Sequence, residues 1–169
     1  MSGARITAKF DDNALIQGMR QLQAMAVNNL PMMRAIGTAL VETTQQRFET
    51  QTAPSGHAWA KLNPAYAALK TGPGILRERG MLYRSITFHA APGQVEVGTN
   101  RVYGAVHQFG ATIRPKQAKA LVFRLGAKTI HAKSVTIPAR PYLGFGAADR
   151  AEVEEVVAGA LQRAVGAGF

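Results

Sequence analysis

The chain has no cysteine in its 169 residues. Disulfides and thiolate metal sites are therefore excluded, and the composition fits a protein made in a reducing cytoplasm. No run of 18 apolar residues occurs, so no membrane-spanning helix is expected. The first residues, MSGARITAKFDDN, contain no apolar stretch of the signal-peptide kind. Acidic residues are scarce: 10 Asp and Glu stand against 20 Lys and Arg, a formal net charge of +10. Between residues 97 and 148 there is no acid at all, while Arg101, Arg114, Lys116, Lys119, Arg124, Lys128, Lys133 and Arg140 are basic. Asp149, Glu152, Glu154 and Glu155 follow directly. A field segregated in this way attracts polyanions, whether nucleic acid, an anionic membrane or an acidic protein surface.

The groups that carry out chemistry are as sparse as the acids. His57, His89, His107 and His131 are scattered with no metal-ligand spacing. Ser55, Gly56 and His57 do not make a triad fragment, because neighbouring Ser and His side chains in a loop seldom meet and no acid is near in sequence. With four of the ten acids in one terminal helix, a hydrolase working through two carboxylates is poorly supplied. The glycines at 72 and 74 lack the spacing of a phosphate-binding loop. The inventory points away from an enzyme, and neither cofactor nor metal is expected. No zinc finger, helix-turn-helix or aromatic strand platform is present, so any nucleic acid would be met through charge alone.

What is present is amphipathic. A length of 169 residues and 47% apolar content suit one domain with its own core. Residues 5–10 alternate like a short strand. Leu15, Met19, Leu22 and Ala26 form a helical stripe over 13–28, and Met33, Ile36, Leu40, Thr44 and Phe48 form another over 31–48, with Pro31 in its first turn. Two helices joined so closely are expected to pack antiparallel. A connection rich in Pro and Gly, 50–74, contains a short helix at 63–70, and Trp59 within it reads as a lid on the helix pair. Residues 75–84 read as a helical turn or two. A hairpin follows at 85–98, with Ile86 and Phe88 facing Val95 and Val97 across the AAPG turn. A short helix over 102–109 ends at Gly110. Strands at 120–125 and 129–137 form a second pair around Gly126 whose polar positions are Lys and Arg. The last helix spans 148–163. The expected fold is α+β: amphipathic helices packed on a small antiparallel sheet, with a protruding basic β-hairpin at about 112–137.

Three phrases stand out from this background: RFETQTAPSGHAW (47–59), GTNRVYGAVHQFG (98–110) and IPARPYLGF (137–145). Each sets aromatics beside Gly or Pro and a basic residue, which is the material of rigid turns and contact surfaces. In the third, two prolines fix φ and hold their neighbours extended. Arg140, Tyr142, Phe145 and Trp59 are the candidate assembly-interface residues, since Arg and aromatics are favoured at such boundaries. Arg114, Lys116, Lys119, Arg124, Lys128 and Lys133 are the candidate contacts of the basic hairpin with DNA or an acidic neighbour.

The phrases RFETQTAPSGHAWAKLNPAYAALK, ILRERGMLYRSITF, VEVGTNRVYGAVHQFG and IPARPYLGF, in this order, resemble the phage virion morphogenesis family, the tail-completion proteins of Mu-like and related tailed bacteriophages. The resemblance runs from about residue 10 to residue 163. It implies a small α+β structural protein of the virion, assembled in the host cytoplasm, that finishes the tail or joins it to the head at the neck. It also implies a homo-oligomeric ring of several copies around the DNA channel; the subunit number does not follow from the resemblance, and six is the working expectation. Neighbouring neck and tail proteins would be its partners, together with non-specific contact with packaged DNA and no membrane. A free-standing, sequence-independent DNA-binding protein is the alternative.

Overall fold

Asn28 and Asn29 separate two helices, α1 (Asp12–Val27) and α2 (Leu30–Thr50). The structure is a computed structural model that describes residues 12–166; the strand expected at 5–10 lies outside them. After α2 come two short helices, α3 (Pro64–Ala67) and α4 (Met81–Arg84), and a hairpin of β1 (Ile86–Ala91) and β2 (Gln94–Thr99). Helix α5 (Gly104–Phe109), strands β3 (Ala111–Ile113), β4 (Leu121–Leu125), β5 (Lys128–Ala132) and β6 (Val135–Ile137), and helix α6 (Ala147–Gly166) complete the chain. The architecture is α+β, and the described strands form three two-stranded antiparallel sheets: β1–β2, β3–β6 and β4–β5.

Helix α2 organises the body. Pro31 occupies its first turn, where a missing N–H costs no hydrogen bond. Ile36, Thr44 and Phe48 are buried along the expected face, with Met33 and Leu40 half-buried beside them. One side of α2 carries the β1–β2 hairpin and another carries α6. The hairpin approaches closely because residue 37 is glycine: a Cβ there would lie 2.3 Å from Phe88 Cδ2, so any side chain would push β1 away. Register follows the alternation, with Phe88 opposite Val97 and Ala90 opposite Val95. Pro92 and Gly93 make the turn, and the Gly93 N–H donates to Asn29 Oδ1 at 3.0 Å, tying the hairpin tip to the junction of α1 and α2.

Helix α1 does not fold back along α2. It leans on α6 instead; of the expected stripe Met19 and Ala26 are exposed and Leu22 is half-buried, and Ile16 and Val27 beside it are exposed as well. The two-residue break at Asn28–Asn29 redirects the chain without reversing it. Residues 75–84 yield only the single turn of α4. Asn63 caps α3, its Oδ1 accepting from Ala65 N at 2.9 Å and from Tyr66 N at 3.4 Å.

The expected long strand at 129–137 is two strands. Its first part, β5, pairs with β4, whereas Val135–Ile137 pairs with β3, a three-residue strand too short to show a period in sequence. The basic region is thus a β3–β6 base carrying a β4–β5 hairpin. Gly126 at the hairpin turn (φ +62°) comes against Leu69, so the tip returns to the segment that follows α3.

Candidate functional site

The aromatic core sits where the distinctive phrases meet. Phe48, 1% exposed, holds the edge of Trp59 at 5.5 Å between centroids and Tyr83 at 5.9 Å, with Tyr142 tilted across it at 5.2 Å. Such arrangements match positive ring edges to negative faces. Ile75, Leu82 and Ile86 close the cluster.

Around this core the 137–145 segment is fixed by hydrogen bonds. Arg140 is buried, and its guanidinium donates from Nε to Ala60 O at 2.8 Å and from Nη2 to Lys61 O at 3.1 Å. The Arg140 N–H donates to His107 O at 2.8 Å. Trp59 Nε1 donates to Pro141 O, also at 2.8 Å. Gln108 clamps the following residues: its Oε1 accepts from Tyr142 N and Leu143 N at 3.0 Å each, and its Nε2 donates to Leu143 O at 2.8 Å. Trp59, Arg140 and Tyr142 therefore hold three remote loops together inside one copy. Burial pulls the Arg140 guanidinium below its ordinary value and pushes the Tyr142 phenol above its own, with Tyr103 adding to the latter. Burial, and then the charge of Arg140, lowers His107 from 6.5, so its imidazole is neutral at physiological pH.

A second junction was not visible in the sequence. Arg47 and Asp149, both buried, form an ion pair between α2 and the first turn of α6. Arg47 Nη1 also donates to Tyr142 O at 3.0 Å and Gly144 O at 3.1 Å. Asp149 accepts from Thr43 Oγ1 at 2.6 Å and from Gly146 N at 2.7 Å. The basic residue that opens the first phrase and the first acid of the terminal helix are the internal fastening of the 140–149 region. Only the amphipathic pattern around Thr43 and Thr44 hinted that a polar partner was needed there.

Of the four candidate interface residues, Trp59, Arg140 and Tyr142 are thus interior, and Phe145 alone is presented to solvent, at 59% exposure. Apolar surface comes also from the ends of the 102–109 phrase: Phe109 is 78% exposed and Val102 94%. Gly110 (φ +74°) follows Phe109 directly. A Cβ at residue 110 would lie 2.8 Å from Ala139 N, so the chain passes tightly against residues 137–139 at the end of β6.

The six candidate cations are placed as expected of a contact surface. Arg114, Lys116, Lys119, Arg124, Lys128 and Lys133 are all exposed, and among the described residues none is in an ion pair. One face of the β4–β5 ladder carries Leu121, Phe123, Leu125, Lys128, Ile130 and Ala132; the other carries Val122, Arg124, Thr129 and His131. A cleft of about 570 Å³ lies below β6, lined by Leu62, Tyr66, Leu76, Met81, Tyr103, Ile137 and Pro138 with His107 and Arg140 at its polar side. On the opposite sign, Glu42, Glu49 and Glu152 line a shallow groove between α2 and α6 together with Gln45, Gln46 and Tyr83.

Catalytic constellations are not assembled by these placements. Contrary to expectation, Ser55 Oγ and His57 Nδ1 do meet, at 3.0 Å, but both residues are exposed and no carboxylate bonds the other imidazole nitrogen among the described residues. Among the described residues no three His, Asp or Glu side chains converge as metal ligands would. No described helix is long and apolar enough to cross a membrane.

Comparison with known proteins agrees with a role in building a particle. The chain is 28% identical over 130 residues to "Putative capsid assembly protein G" of Escherichia phage Mu, covering 73% of this chain and 74% of that protein. It is 27% identical over 141 residues to "Mu-like prophage FluMu G protein 2" of Haemophilus influenzae, covering 83% and 84%. It is 24% identical over 158 residues to "Mu-like prophage FluMu G protein 1" of the same organism, covering 90% and 92%. No solved structure matches the chain at a significant level. The sequence model of the phage virion morphogenesis family matches residues 10–162, nearly the full length, and the chain is a member of that family.

Proposed function

We propose that this protein is a structural component of the phage neck that completes the tail and joins it to the head, acting as a homo-oligomeric ring around the DNA channel. Membership of a virion morphogenesis family, and the capsid-assembly name borne by the Mu relative, support a particle-building role. The observation that supports the finer reading is the six exposed cations between residues 114 and 133, which are in no ion pair among the described residues. A fold that buries Arg47 and Arg140 against specific partners leaves these six to meet something outside the copy. The body, fastened by the 59–61, 108 and 140–149 contacts, is a rigid mount for them.

The test is complementation. A phage lacking this protein is supplied with wild-type protein or with the Lys119→Gln, Arg124→Gln, Lys128→Gln, Lys133→Gln variant, and joined heads and tails are counted by negative-stain microscopy. Exposed charges add little to stability, so the variant should melt like wild type but yield fewer joined particles. Normal yield with the variant, or joined particles in the complete absence of the protein, refutes the reading. The same cations would also serve a free-standing DNA-binding protein. That alternative requires a steep, sequence-independent salt slope in duplex binding and no effect on particle joining.

A further inference from the structure

We infer that the basic arm of one copy docks on the acidic groove between α2 and α6 of the next copy, so that the protein recognises itself head to tail. The inference rests on the ring reading above and names the surfaces that would build it.

The two surfaces are opposite in charge, and apart from Glu49 their charged groups are in no ion pair within a single chain among the described residues. In a protein with twice as many basic as acidic residues, the groove is lined by Glu42, Glu49 and Glu152 and by no Lys or Arg. Glu49 reaches Arg77 at 3.7 Å and accepts from the Tyr83 hydroxyl at 3.3 Å, whereas Glu42 and Glu152 are exposed and in no ion pair among the described residues. Glu154 and Glu155 extend the acidic surface along α6 and are exposed too. The arm offers the reverse: six exposed cations on a stretch without a single acid. No ion pair links arm and groove within the copy, and the arm's turn is held at Leu69 instead.

The arm also lacks cover. A two-stranded ladder is marginal in water unless another element shields its apolar face. Here Phe123 is 39% exposed on the face it shares with Leu121, Leu125, Lys128 and Ile130, and among the described residues no further strand joins β4 or β5. A second copy would supply both the missing apolar cover and the missing counter-charges. Because arm and groove are different patches, the contact is heterologous, and a heterologous contact repeats from copy to copy until rotation closes it into a ring. That property separates it from a symmetric dimer, which would use one patch twice.

Sedimentation of the full chain tests this across salt. Wild type should self-associate at about 50 mM salt, and its dissociation constant should rise about tenfold or more by about 500 mM as exposed charges are screened. An arm variant (Lys119→Glu, Arg124→Glu, Lys128→Glu, Lys133→Glu) and a groove variant (Glu42→Lys, Glu152→Lys) should each weaken association at least tenfold. Joining both sets in one chain should recover most of it, since the charges are again opposite. If a variant fails to fold, the contact is still read in wild type. Amine-to-carboxyl cross-linking of mixed heavy- and light-isotope copies should join Lys119, Lys128 or Lys133 to Glu42 or Glu152 between copies. Wild type that stays monomeric at every salt concentration, association that survives both reversals, or cross-links elsewhere would overturn the inference. Wild type that stays monomeric yet restores joined particles would overturn the docking and leave the joining of heads to tails standing. Wild type that associates as described but restores no particles would refute the neck role instead.

Discussion

Replacing Asp149 by Asn probes the fastening of α6 to α2 with almost no change of shape. The carboxylate now accepts from Arg47, from Thr43 Oγ1 at 2.6 Å and from Gly146 N at 2.7 Å, and is 1% exposed. An amide retains one acceptor oxygen and turns an N–H₂ toward at least one of these donors. Arg47, 6% exposed, is left with a buried charge balanced only by the Tyr142 and Gly144 carbonyls. Removing one member of a buried pair costs about 3–5 kcal/mol, because the remaining charge stays desolvated. For a chain of this size each kcal/mol lowers Tm by about 2–4 °C, so a drop of about 6–20 °C is expected. The cycle with Arg47→Met sharpens the test. Removing Arg47 strands the same two carbonyls, so the double variant should remain below wild type. It should still be more stable than the sum of the single losses by more than about 0.5 kcal/mol, since the uncompensated charge is gone. Urea unfolding followed by circular dichroism measures all four proteins. Asp149→Asn within 1 kcal/mol of wild type, or strictly additive losses, would show that the pair does not hold α6 in place.

Two further outcomes follow from local geometry. Phe48→Ala, which empties the centre of the Trp59, Tyr83 and Tyr142 cluster, should cost about 3–5 kcal/mol, and half-buried Leu40→Ala clearly less; equal losses in urea melts would place the core elsewhere. Glu78 accepts from Lys70 Nζ at 2.7 Å and Thr71 Oγ1 at 2.9 Å, and these bonds, Lys70 foremost, lower its pKa from 4.5 to about 2. A depressed carboxylate stabilises the fold above its unfolded value and loses that contribution as pH falls from about 4.5 toward 2, so the 70–78 clip should hold at pH 5 and release near pH 2. A side-chain carboxyl resonance of Glu78 that titrates near 4.5 would contradict the geometry.

How much of this was legible beforehand depended on distance along the chain. Helix α2 and helix α6 were readable to within three residues at each end, because a period of 3.6 repeats over many turns. The β1–β2 hairpin was readable from its alternation and its Pro-Gly turn. The basic arm and its acid-free composition were plain in the sequence, and so were the four phrases that mark the family. Strand β3 was not, since three residues carry no usable period, and with it went the division of the arm into a base and a tip.

Burial within the phrases was decided only in three dimensions. Tyr142 and Phe145 stand three residues apart in the same phrase, yet one is 1% exposed and the other 59%. Tyr142 meets Phe48, from a helix 94 positions earlier, while Phe145 meets no comparable neighbour in the core cluster. The same holds for charge. Arg47 is consumed by Asp149, 102 residues away, and Arg140 by carbonyls 80 and 79 residues away, whereas Lys116, Lys119, Lys128 and Lys133 are in no ion pair among the described residues. The sequence determined which residues are apolar, basic or rigid, because those are properties of single residues and short periods. Which of them are spent inside the copy and which remain for a partner was decided by the packing of remote segments, because desolvation and hydrogen bonding depend on what arrives next to a side chain.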